Sequence, residues 1–107
     1  MSLQHYEYGL ERLQKILNHL SGNRMDAKSD LLRAFKNCSW LVNGEVPESL
    51  QLKFLKIDQL VTKCEKDEKN SSWTNSINSL NHDTCEELVS DIKNLYLWLD
   101  IYIKRNF

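Results

Sequence analysis

The sequence predicts an all-α protein, an antiparallel up-and-down bundle of four long helices. Three observations carry that expectation. Apolar residues recur at steps of three and four over four separate segments, the period of one helix face. One Pro and three Gly in 107 residues leave little material for the turns that many short strands require. No segment alternates apolar and polar residues over the length of a strand.

Leu3, Tyr6, Leu10, Leu13, Leu17 and Leu20 fall on one stripe and predict a first helix over about 3–20. Ile16 widens that stripe into the broad face of a bundle helix. Gly22 follows as a stop suited to a left-handed cap. Asp26 reads as the N-cap of a second helix. Its inward positions are Ala27, Leu31, Ala34, Phe35, Cys38, Leu41 and Val42, and Asn43-Gly44 ends it. Pro47 opens a third helix, since a proline in the first turn forfeits no hydrogen bond. Leu50, Phe54, Ile57, Leu60, Val61 and Cys64 form its apolar side. The run Glu65 to Asn70 is a charged, solvated connection. Residues 72–80, with Trp73, Ile77 and Leu80, form a short helix capped by Ser71 or Ser72, or else a loop pinned by Trp73 and Ile77. In the fourth helix, Asp83 with Glu86 three residues on makes an Asp version of the capping box. Cys85, Leu88, Ile92, Leu95, Leu99 and Tyr102 continue at helical steps to about Lys104. Lys104 and Arg105 suit the negative end of its dipole. No repeat or linker divides the chain, so residues 1–107 are expected to form one domain.

Most chemistries lack their residues. Cys38, Cys64 and Cys85 form no CxxC pair and fall on or beside apolar positions, which reads as reduced core thiols. His82, Asp83 and Cys85 are too few for a structural metal site, and His5 and His19 have no ligand at helical spacing. No metal and no cofactor is therefore expected. Helical pyrophosphatases hold Mg²⁺ with carboxylates that share one cavity. Here Glu45 precedes Pro47 and lies off the helix that could carry Glu48. Glu87 and Asp91 point away from the Cys85–Leu99 stripe and read as a solvated face. No nucleophile triad, phosphate-cradling glycine loop or dinucleotide fingerprint is present, so no catalytic residue is assigned. Net charge is −1, which does not suit a phosphate backbone. Arg24, Lys28, Arg33 and Lys36 are basic, but Asp26 and Asp30 dilute them, so nucleic acid is not the expected partner. No secretory apolar region and no run of membrane-spanning length appears, and the chain is read as cytoplasmic with no membrane partner.

One surface stands out. Glu87, Asp91, Asn94, Trp98 and Ile101 share a stripe of the fourth helix offset from its core stripe. Asp83 and Glu86 extend the acidic end. The expected partner-binding set is thus Asp83, Glu86, Glu87, Asp91, Asn94 and Trp98. Aromatic side chains supply the large contacts of interface hot spots, and acidic charge accelerates encounter with a basic partner. The plainer reading has Trp98 packed beneath the loop around Trp73 and the acids merely solubilising. The same aromatics also suit a homodimer.

From about Leu31 onward the pattern resembles small helical bacterial immunity proteins. Those proteins neutralise toxins in contact-dependent or bacteriocin-type competition. The likeness rests on the leucine-rich helix, Val46-Pro47-Glu48-Ser49-Leu50 leading into Phe54, Ile57 and Leu60, then Trp73 with Ile77, and a Glu86-Glu87 helix bearing Leu95-Tyr96. It is a likeness of hydrophobic positions and transfers no functional residue. It implies a stable scaffold without an active site, and a surface complementary to a basic toxin domain. The alternatives are a regulatory or adaptor module, including a homodimer, and a metal-dependent phosphohydrolase.

Overall fold

The computed structural model describes residues 3–20, 24–38, 40–41, 43–61, 77 and 79–107. Four α-helices run through them: α1 (Leu3–Leu17), α2 (Ala27–Asn37), α3 (Gln51–Val61) and α4 (His82–Asn106). Short 3-10 turns lie at Arg24–Asp26, Asn43–Glu45 and Glu48–Leu50. Among the described residues there is no strand. None of these helices is long and apolar enough to cross a membrane.

The spine of the molecule is α4. At a rise of about 1.5 Å per residue, its 25 residues match the longest dimension, 38 Å. Cys85, Leu88, Ile92, Leu95 and Leu99 are all completely buried, as their spacing predicts, and α1, α2 and α3 each pack against this helix. Its cap differs from expectation. Asn81, not Asp83, precedes the first turn, and the Asn81 side chain accepts a 2.8 Å bond from the Thr84 N–H. The helix simply begins two residues earlier, which leaves Asp83 exposed in the first turn. Its carboxylate still suits the positive helix end there.

The core line of α1 is Tyr6, Gly9, Leu13 and Ile16, one position round from the expected leucine stripe. Leu10, Leu17 and Leu20 pack only at its margin. Gly9 explains the rotation. The Asn43–Glu45 turn lies so close that a Cβ at position 9 would stand 2.6 Å from the Glu45 carbonyl oxygen. After Leu17 the chain tightens: the His19 N–H donates to the Ile16 carbonyl, and the Leu20 N–H to that of Leu17. The Gly22 stop lies outside the described residues.

The second helix is shorter than its apolar spacing suggests. Asp26 makes no side-chain cap bond, and Cys38 is already extended at φ −126° and ψ 150°. The reason is Trp40, which leaves the helical path to reach the core. Its ring stacks on Phe54 at 5.9 Å and 6°, tilts against Phe35, and its Nε1–H donates to Asp58 at 3.0 Å. Leu41 is buried beside it, but not from a helix. Val42 and Cys64 lie outside the described residues. Pro47 stands one turn before α3 and precedes the Glu48–Leu50 turn, whose Leu50 N–H donates to the Pro47 carbonyl. The expected short helix over 72–80 falls almost wholly outside the described residues. Within it Ile77 and Leu80 are buried, and the Lys28 ammonium donates to the Leu80 carbonyl at 2.8 Å.

Candidate functional site

The flank of α3 that carries Lys53, Lys56 and Leu60 follows from its core line. Phe54, Ile57 and Val61 turn inward, so Lys53 and Lys56 must lie about 100° round from them. That flank meets α4. The Lys56 ammonium stands 3.4 Å from Glu87 Oε1 and 3.4 Å from Asp91 Oδ2. The Lys53 ammonium lies 4.1 Å above the Trp98 ring, a cation–π contact. Lys53 and Lys56 thus both reach α4, Lys53 at Trp98 and Lys56 at Asp91 and Glu87.

Both lysine contacts bear on the acidic stripe. The two carboxylates raise the Lys56 pKa, Asp91 first and Glu87 second. One cation against two carboxylates leaves that half of the stripe with one net negative charge. Asp91 Oδ2 is buried and lacks a partner of good hydrogen-bond geometry, so its contact with Lys56 is an ion pair and not a directed bond. Glu86 turns to His82 Nε2 at 3.0 Å. Asp83 and Asn94 are exposed. Of the six expected residues, the structure therefore brings Glu87 and Asp91 to one cation and Trp98 to another. Asp83, Glu86 and Asn94 lie elsewhere along α4.

Trp98 is 39% exposed. Leu52 (84%) and Leu55 on α3, with Leu97 and Ile101 on α4, are exposed as well. These five account for most of the eight exposed large apolar side chains among the described residues. Large apolar side chains left exposed on two helices that pack together are candidates for contact with a partner. Sequence periodicity marked Trp98 and Ile101 but not Leu52 or Leu55, because it shows which side of α3 faces inward and not which helix lies beside it.

Two carboxylates behave differently from their sequence reading. Glu45 has a side chain only 5% exposed, and its Oε2 accepts from Arg12 Nε at 2.9 Å. Asp30 does not dilute a basic surface; it is buried and pairs with the exposed Arg33. Among the described residues no three His, Cys, Asp or Glu side chains gather where a metal could sit. Glu45 turns in toward α1 while Glu48 is exposed, so this pair shares no face.

No protein-family model, curated protein or solved structure matches this chain.

Proposed function

We propose that this chain, folded as an up-and-down bundle, is a non-enzymatic protein-binding module of the immunity or antitoxin kind. It would act in the cytoplasm and neutralise a cognate toxin by covering it with the α3–α4 face. The observation that supports this reading is the exposure of Trp98, Leu97 and Ile101 on α4 and of Leu52 on α3, with the carboxylates of Glu87 and Asp91 on the same α4 stripe as Trp98. Burying such apolar groups supplies affinity, and the flanking carboxylates orient a basic partner. Asp83, Glu86 and Asn94 extend the contact along α4.

The test is binding and protection with the toxin encoded beside this gene, or with a partner recovered from the native cell. Trp98→Ala should weaken binding by about 2 kcal/mol or more, the scale of an aromatic hot spot. Lys56→Gln should instead free Glu87 and Asp91 and make association faster and more salt-sensitive. Wild-type affinity in both variants would refute the face. The exposed apolar side chains also fit the second reading, a homodimer in an adaptor role. A dimer resistant to salt and abolished by Leu52→Glu would favour it.

A further inference from the structure

A second feature shares no residue with the α3–α4 face and does not depend on it. A cleft of about 390 Å³ separates α1 from the C-terminal end of α2, lined by Tyr8, Glu11, Arg12, Lys15, Asn37 and Cys38. Its volume lies within the range of small-molecule sites. Tyr8, Arg12 and Lys15 stand at i, i+4 and i+7, so one stripe of α1 presents all three.

The stripe is held from behind. Glu45 does not line the cleft, yet its buried carboxylate holds Arg12 by Nε. Glu45 itself is set against α1 by the close approach at Gly9. The terminal guanidinium nitrogens have no partner among the described residues. Arg12 is thus oriented at one edge and open at the other, the arrangement that suits a guanidinium fork to a planar anion. Tyr8 accepts from the Gln4 side chain at 2.7 Å, which leaves its own proton to donate. Lys15 holds Glu11 only loosely, at 3.5 Å with both side chains more than 60% exposed. Its charge is felt across the cleft, since it pulls the Cys38 thiol down against the larger upward push of burial.

The balance of charge selects the anion. Arg12 and Lys15 face Glu11, and Glu45 offsets Arg12 from behind. That leaves no surplus for a dianionic phosphate. A carboxylate carries one charge and matches a single guanidinium fork, and Glu11 is placed to receive an N–H group of the same molecule. We propose that this cleft binds the carboxylate of a small zwitterion of amino-acid size, with Arg12, Tyr8 and Lys15 as donors and Glu11 as acceptor.

The experiment is an NMR titration of the full chain with glycine, sodium acetate and inorganic phosphate at constant ionic strength. It follows the Arg12 Nε–H, the Asn37 side-chain amide and the Cys38 amide. Glycine should give saturable shifts at these three groups and bind more tightly than acetate. Tyr8→Phe and Lys15→Gln, both at exposed positions, should each weaken glycine by about tenfold, the loss of one charge-assisted hydrogen bond. Arg12→Lys should abolish the selectivity of carboxylate over phosphate. Three results would each overturn the proposal: no saturation by glycine, tighter binding of phosphate, or unchanged glycine binding in Tyr8→Phe and Lys15→Gln. None of them bears on the α3–α4 face, whose variants are read by toxin binding.

Discussion

Replacing Gly9 by Ala should destabilise this protein, against the usual direction for a glycine inside a helix. Alanine normally gains about 1 kcal/mol there, by removing backbone freedom from the unfolded chain. At position 9 the added Cβ would meet the Glu45 carbonyl oxygen at 2.6 Å and the Glu45 Cβ at 3.1 Å. The obstacle is backbone, which cannot rotate aside like a side chain end. The Asn43–Glu45 turn would have to retreat by about 0.8 Å to reach ordinary van der Waals distance. That movement pulls the Glu45 carboxylate from Arg12, now 2.9 Å away, and loosens Leu41, whose Cδ2 lies 3.4 Å from the same Cβ position. Overpacking of this kind costs about 1–3 kcal/mol, and weakening a charged hydrogen bond to a buried acceptor adds about 1.5 kcal/mol. After the propensity gain, a net loss of roughly 2 kcal/mol remains, or about 8 °C in Tm for a domain of this size. Urea and thermal unfolding, followed by circular dichroism, measure both quantities. Gly9→Ala paired with Glu45→Gln should lose less than the sum of the two, because both act on one contact. A Gly9→Ala protein as stable as wild type, or more so, would refute the packing of the Asn43–Glu45 turn on α1.

Two further predictions concern α4 and its buried thiol. Asn81→Ala should cost about 1 kcal/mol, the loss of a side-chain cap, whereas Asp83→Ala should cost no more than about 0.5 kcal/mol, its share of the helix dipole; equal losses in chemical denaturation would restore Asp83 as the cap. Burial pushes the Cys85 thiol above its ordinary value of 9.0, and Lys28 only partly opposes this. A raised folded-state pKa means that the stabilising difference is present below the unfolded value and is lost as pH rises past it. Stability should therefore fall above about pH 9, with Tyr6, raised mainly by burial from 10.0, adding to the decline. Cys85→Ala should flatten that slope, and Cys85 should react with a thiol reagent only at the rate of global unfolding, while the half-buried Cys38 reacts sooner.

How much of this was legible differs from element to element. The α4 stripe was readable almost residue by residue, because a 25-residue helix buried along one face must repeat its apolar positions. The same rule overextended α2. Leu41 is apolar, buried and correctly spaced, but Trp40 draws the chain out of the helix first, and spacing does not register a competing aromatic stack. In α1 the leucines marked the right side of the helix and the wrong centre, because the contact that recentres it comes from a turn more than thirty residues away. At the candidate face, Trp98, Glu87 and Asp91 could be placed on a common stripe. Their partners Lys53 and Lys56 could not, since nothing local says which helix α3 lies against.

The amino-acid order alone determined that the described segments are helical and, along α3 and α4, which residues turn inward, because both depend on local propensity and on burying a periodic apolar face. It also located the acidic and aromatic ends of α4. Only the tertiary structure decided that Lys56 offsets those acids, that Glu45 is an interior anchor for Arg12, and that Gly9 is a contact point and not a weakness in a helix. Those outcomes depend on through-space distances between segments far apart in sequence, where a few ångströms decide whether a charge is solvated, paired or buried.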